Sequence, residues 1–154
     1  MREIIFRGKR LDNGEWLEGY LFHDVDSGET EIQFMQYETD DCGVDCWRNG
    51  YEVDPETVGQ FTGLTDKNGT KIFEGDIIKS DNGKQSAISV VKFGEYYPQM
   101  FYKMLDMCCP GRRHMLANGF YAESIDKHEE MILFQSPCVE IIGNIHDNPE
   151  LLEG

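Results

Sequence analysis

Two carboxylates set two residues apart, Glu74 and Asp76, flank Gly75. Residues at that spacing on a strand project from the same face. Both could enter one site, as the paired carboxylates of a hydrolase do. With no cleft or third group to work with, the pair is better read as satisfying turn backbone and keeping a strand edge soluble. Asp66-Lys67-Asn68-Gly69 invites a calcium reading. An EF-hand loop needs a third oxygen ligand at position five, Gly at six and Glu at twelve. Those positions hold Thr70, Lys71 and Ile77, so the stretch reads as a turn. Five cysteines stand at 42, 46, 108, 109 and 138. Structural zinc sites use pairs at short spacing such as C-x2-C, and neighbours in sequence such as Cys108 and Cys109 rarely both reach one ion, since adjacent side chains tend to diverge. The expectation is reduced thiols at Cys42, Cys46, Cys108, Cys109 and Cys138, with no metal and no cofactor. The four histidines, at 23, 114, 128 and 146, are scattered. No phosphate-binding loop, nucleophile elbow or H-E-x-x-H stands in the chain. No catalytic residue is assigned, and an enzyme using Glu74 and Asp76 is the least favoured of three functional readings.

The elements that would carry these residues are strands and turns. Residues 62–78 read as strand, tight turn, strand, break, strand. Lys67 and Asn68 suit a type I turn, and Gly69 suits the left-handed position that follows it. Glu74-Gly75-Asp76 bends the chain before Ile77-Ile78. This order of Thr62, Gly63, Asp66, Gly69, Glu74, Gly75 and Asp76 resembles the central motif of the YopX family, small proteins of phages, prophages and other bacterial mobile elements. The opening 1–9, with Trp16 and Gly19, is also similar to that family. So are 53–61 and a closing Gly143-Asn144-Ile145…Asn148-Pro149-Glu150-Leu151-Leu152. The likeness covers roughly 1–22, 51–93 and 139–152. It implies a lineage and a β-rich fold, with the motif residues in structural or binding roles, and brings no activity with it.

Residues 4–11 and 16–22 flank Asp12-Asn13-Gly14-Glu15, and Asn-Gly between two apolar-rich runs is the strongest short hairpin signal. Gly8 and Gly19 suggest bulges. Residues 31–37 alternate, with Ile32 and Phe34 on one face and Glu31 and Gln33 on the other, and would add a third strand. Residues 39–49 read as an exposed loop carrying Trp47. Asp54-Pro55 suggests a turn or the start of a one-turn helix. Asp81-Asn82-Gly83-Lys84 predicts a hairpin joining 72–79 to 87–93. Residues 94–118 form a variable insertion, in which 101–107 suits either a strand or a short helix. Residues 119–125, 131–134 and 139–142 read as strands, with a polar turn at 126–130. Asn148 suits an N-cap, Pro149 the first helical position and Glu150 the first turn. Leu151 and Leu152 would then seal a core edge.

The fold class expected is mainly β. It is either a short-stranded distorted barrel of SH3-like type or two fused small β units, with a short C-terminal helix. One domain over 1–154 is expected, divisible as 1–59 and 60–154. Sixteen glycines against five prolines fit many turns. The net charge of −15, from 29 acids against 14 Lys plus Arg, disfavours direct binding to nucleic acid, which needs clustered cations. No stretch reaches the ~20 apolar residues of a membrane span, and the start of the chain has no secretory pattern, so a bacterial cytoplasmic location is expected. The preferred function is a non-enzymatic accessory protein of a phage or mobile element, acting by protein–protein contact or self-assembly. The second is mimicry of DNA by the acids of 31–60, occupying a host nucleic-acid-binding protein. A homo-oligomer is expected, with Tyr96, Tyr97, Phe101 and Tyr102 as candidate interface, because aromatic side chains are enriched at interface cores.

Overall fold

A computed structural model describes residues 4–36, 47–81, 86–96, 117–125, 130–132 and 138–153. These residues are mainly β, in two antiparallel sheets, with one 3-10 turn near the C-terminus. The chain divides into two compact units, Met1–Phe61 and Thr62–Gly154.

The first unit contains β1 (Phe6–Arg10), β2 (Trp16–His23), β3 (Thr30–Gln36) and the start of β4 (Trp47–Thr65). The β1–β2 hairpin forms as expected, pairing Phe6 with Gly19 and Lys9 with Trp16. Its loop is longer than the two-residue turn that Asn-Gly suggests. The Arg10 N–H donates to the Glu15 carbonyl at 2.9 Å and the Gly14 N–H to the Arg10 carbonyl at 3.0 Å. Asn13 contributes through its side chain, whose Oδ1 accepts the Glu15 N–H at 2.9 Å. β3 adds to β2, pairing Leu21 with Ile32 and Phe22 with Glu31. β1 pairs with both β2 and β4, which wraps this sheet part of the way round on itself without making it a barrel. Its interior is narrow. Ile32 and Val53 are fully buried, and a Cβ on Gly8 would stand 3.0 Å from Val53 Cγ2 and 3.3 Å from Ile32 Cγ1. A Cβ on Gly19 would stand 2.4 Å from the Gln33 carbonyl oxygen. Gly8 lies where the register of β1 on β4 shifts, so a bulge is found there. Gly19 sits in regular pairing and serves close approach instead.

β4 corrects two expectations. It begins at Trp47, so 47–49 are strand and not loop; 39–46 lie outside the described residues. It also continues through Asp54-Pro55. The predicted turn is made inside the strand: Arg7 pairs with Gly59 and Lys9 with Asp54, so 55–58 bulge out opposite Gly8. The Glu56 N–H donates to Asp54 Oδ1 at 3.0 Å. The Thr57 hydroxyl donates to the Asp54 carbonyl at 2.7 Å and accepts the Lys9 N–H at 2.9 Å. Pro55 has no N–H to offer a ladder, and a bulge is where a strand tolerates that.

The second unit holds β5 (Lys71–Phe73), β6 (Asp76–Asp81), β7 (Ser86–Tyr96), β8 (Ala117–Ser124), β9 (Glu130–Ile132) and β10 (Val139–Asn144). Its five-stranded sheet runs β10-β6-β7-β8-β9. Ile72, Ile78, Val91, Ala122 and Val139 form the core, with Leu64 and Ile141 packed against it. β6 and β7 pair as expected up to Asp81 and Ser86; 82–85 lie outside the described residues, as do 97–116 of the insertion. In the β7–β8 hairpin Gly94 stands directly opposite Gly119, at φ 152° and 157°, a region few other residues enter. Tyr96 and Tyr121 stack with ring centroids 5.0 Å apart. The register sets Tyr121 opposite Lys92, four residues from Tyr96, about 13 Å along an extended strand. The glycine pair lies between them on the ladder and carries no side chain to separate the rings.

The C-terminal helix is a single 3-10 turn, Pro149–Leu152, with no buried residue. Leu151 and Leu152 therefore do not seal a core edge. Asn148 stands at the N-cap without a side-chain cap bond. Its Oδ1 instead accepts the Asn144 N–H at 3.3 Å.

Candidate interaction surface

The motif residues are brought together at one corner of the second unit, where they hold backbone. The Thr62 hydroxyl donates to the Ile72 carbonyl at 2.8 Å and accepts the Leu64 N–H at 3.2 Å. Gly63, Gly69 and Gly75 have φ 85°, 85° and 83°, which few side chains tolerate. Asp66 is only 4% exposed. Its Oδ1 accepts the Asn68 and Thr70 N–H groups at 2.8 and 2.9 Å. Its Oδ2 accepts the Ile141 N–H at 3.3 Å. Burial pushes this carboxyl up, and the N–H groups of Thr70, Asn68 and Ile141 outweigh that and hold it below the ordinary carboxylate value. Asp76 is 1% exposed and accepts the Phe73 N–H at 2.8 Å, while Glu74 reaches the Phe93 N–H at 3.3 Å. The two carboxylates thus serve separate backbone donors. Gly75 donates to the Val91 carbonyl and accepts from Ile145, both at 2.9 Å. A Cβ on Gly143 would stand 2.5 Å from Asn148 Oδ1. The Asn144 carboxamide oxygen caps the N–H groups of His146 and Asp147 at 2.9 Å. This corner is a folding device built from turns.

Of the candidate interface residues, Tyr96 is buried and stacked on Tyr121, which removes it from any free surface. Tyr97, Phe101 and Tyr102 lie outside the described residues, as do Cys42, Cys46, Cys108 and Cys109. Cys138 is exposed. Among the described residues no cluster of His, Cys, Asp and Glu could hold a metal ion, and no helix is long and apolar enough to cross a membrane.

A surface the sequence reading did not single out lies on the first unit. Trp16, Glu18, Tyr20 and Phe22 alternate along β2 and share one face. Trp16 is covered by Arg7, 4.6 Å from its ring centroid, and approached by Lys9 at 5.9 Å. Tyr20 and Phe22 are 56% and 43% exposed. Across the sheet Tyr20 is opposite Gln33 and Phe22 opposite Glu31. Glu31 is in turn opposite Glu52, and Gln33 opposite Gly50. Two carboxylates directly opposed across strands repel. Among the described residues neither enters an ion pair. Glu31 Oε2 accepts from Gln33 Nε2 at 3.0 Å and lies over Gly50, 2.9 Å from where a Cβ would be.

Glu52 also lines an open hollow of about 340 Å³, together with Leu11, Asp12, Gly50 and Tyr51. Arg10 contacts two of these residues. Its guanidinium lies 3.8 Å from the Tyr51 ring centroid and forms an ion pair with Asp12. The Asp12 carboxyl is held below its ordinary value chiefly by its hydrogen bond from Arg10. In the chain β2 reads only as an apolar-rich run, because Leu17 and Leu21 interleave with the aromatics and disguise which face is wet. The approach of Glu52 to Glu31 depends on a register no local signal reveals.

The YopX protein family model matches residues 5–153 of the chain. Among solved structures, the crystal structure of protein EF1440 from Enterococcus faecalis is similar, at a TM-score of 0.51 and 22% identity, covering 99% of each chain. At that identity the likeness concerns the fold. No curated protein matches.

Proposed function

The chain belongs to the YopX family, and from that premise we propose that it is an accessory protein of a phage or mobile element that works by binding another protein. The observation that carries this reading is the exposed Tyr20–Phe22 pair beside the opposed Glu31 and Glu52. Large aromatic side chains are enriched where interfaces are fully buried. Covering either one contributes up to roughly 1.5–3 kcal/mol. The net charge of −15 steers a basic partner to the face and speeds encounter. Mimicry of a nucleic-acid backbone is the weaker reading, because Tyr20 and Phe22 interrupt the acids of this face. An enzyme working through Glu74 and Asp76 is weaker still, since each serves a separate backbone donor.

A photo-crosslinking residue at Phe22, in cells that naturally make the protein, tests the proposal. One discrete protein adduct is expected at Phe22 and none at exposed Asn118 in the second unit. Equal labelling at both positions, or none at Phe22, overturns it. An adduct of the chain with itself would assign the face to self-assembly and overturn binding to a different protein.

A further inference from the structure

We propose that the partner adds an extended strand to the edge of β2 at Leu21–His23. This deepens the reading above and rests on it. The edge follows from which way each backbone group faces. The Arg10 N–H donates to the Glu15 carbonyl, in register with the pairs Gly8–Leu17 and Phe6–Gly19. Hydrogen-bonded pairs alternate along an antiparallel ladder, so Leu17 and Gly19 turn their N–H and C=O groups toward β1. The Asp24 N–H donates to the Glu29 carbonyl, in register with Phe22–Glu31 and Tyr20–Gln33. Phe22 and Tyr20 therefore turn theirs toward β3, and Leu21 and His23 turn theirs to the opposite side. There the pairing with β1 stops at Phe6–Gly19. Ile4, next in that register, lies before β1 begins, and among the described residues no strand pairs with Leu21 or His23 on that side. Tyr20, Leu21, Phe22 and His23 are all exposed, as is Ile4, so nothing is packed over this edge. Lysine and proline, which blunt strand edges, are absent from 20–23. An edge of this kind takes an added strand through main-chain hydrogen bonds. A residue of that strand opposite Phe22 would lie beside its ring, and such cross-strand pairs stabilise a ladder. The occupant is a strand of a different protein. A second copy paired about Leu21 or Phe22 would set Glu18 against Asp24 or Asp26, and like charges opposed across strands repel. Those same acids, with Glu31, favour a strand that carries basic residues.

Amide hydrogen exchange on the full chain, read by NMR, tests this with a capped heptapeptide alternating valine and lysine as the probe. In the free chain Leu21 and His23 should exchange about tenfold faster than Tyr20 and Phe22, or more. The peptide should slow Leu21 and His23 about tenfold and leave Tyr20 and Phe22 unchanged. The same peptide N-methylated throughout keeps its side chains, has no N–H to donate, and should give no protection. Leu21→Pro removes an outward donor and spares the bonds to β3, so it should weaken the peptide about fivefold, against less than about twofold for Leu21→Ala. Equal exchange of the four amides in the free chain, equal protection by the N-methylated peptide, or equal loss in the two variants overturns the proposal. The exchange readings use the wild type, so they decide the matter even if Leu21→Pro fails to fold. A cross-link at Phe22 without protection of Leu21 and His23 sinks this inference and leaves the functional reading standing. Protection without a cross-link does the reverse.

Discussion

Asp66 shows how much one side chain can hold. A buried carboxylate receiving three backbone N–H groups and the Asn68 carboxamide cannot be replaced by a methyl without stranding those donors. Hydrogen bonds to charged groups contribute roughly 1.5–3 kcal/mol each at best and are not additive. Asp66→Ala should therefore cost about 3 kcal/mol in urea unfolding, and a loss below about 1 kcal/mol would contradict this account. The pH dependence follows from the lowered carboxyl. A group whose folded pKa is depressed contributes stability that is fully present above its unfolded value, near ~4. That contribution is lost as pH falls from there through the folded value. Wild type should lose stability across that acid window more steeply than Asp66→Ala. Gly69 gives a smaller, cleaner effect. Its φ is 85° and a Cβ would touch nothing within 4 Å, so Gly69→Ala should cost only the conformational ~1 kcal/mol, with no change in the shape of the unfolding curve.

At the scale of elements, what could be read in advance was what depends on neighbours in sequence. Asn13-Gly14 and Asp66-Lys67-Asn68-Gly69 announced hairpins because turn chemistry is local. The alternation of Glu31, Ile32 and Gln33 announced a half-buried strand for the same reason. Asp54-Pro55 misled, because the same residues that make a free turn can make a bulge when β1 is alongside to receive them. The uses of Gly19 and of Gly94 with Gly119 were also hidden, since each depends on a strand paired from elsewhere. These glycines give different predictions. Gly19→Ala forces a Cβ against the Gln33 carbonyl and should destabilise by about 3 kcal/mol, the upper range of overpacking. Amide exchange should show the loss in β2 and β3. Gly94→Val with Gly119→Val should put side chains between Tyr96 and Tyr121 and part them, seen as loss of ring contacts between them by NMR. Persistence of those contacts would show that the bare glycine pair is not what brings the rings together.

For the molecule as a whole, charge is the governing quantity. A net −15 on 154 residues opposes the compact state by self-repulsion. Ions screen that repulsion over ~8 Å at physiological strength. Raising sodium chloride from 20 to 500 mM should thus raise the Tm, and a fall would mean that ion pairs such as Lys67–Glu140 outweigh repulsion. Little of the candidate interaction surface could be read from the chain, for a physical reason. A folding motif repeats a local geometry and so leaves a fixed residue pattern, whereas a face is assembled from β2, β3 and β4 by register. Trp16, Tyr20, Phe22, Glu31 and Glu52 are ordinary residues until the sheet sets them side by side.

The turn that begins at Asp66 does one more thing. β10 is the last strand of its sheet, and its outer groups are met by that turn: the Lys67 N–H donates to the Val139 carbonyl at 2.8 Å, and Asp66 takes the Ile141 N–H. An outermost strand with those groups bare is a template on which a second chain can add, and then a third. In this light Asp66 is a guard against fibrils. Asp66→Ala, held at neutral pH in salt that screens the remaining charge, should bind an amyloid dye after incubation at a temperature where the wild type stays clear and the variant is still folded.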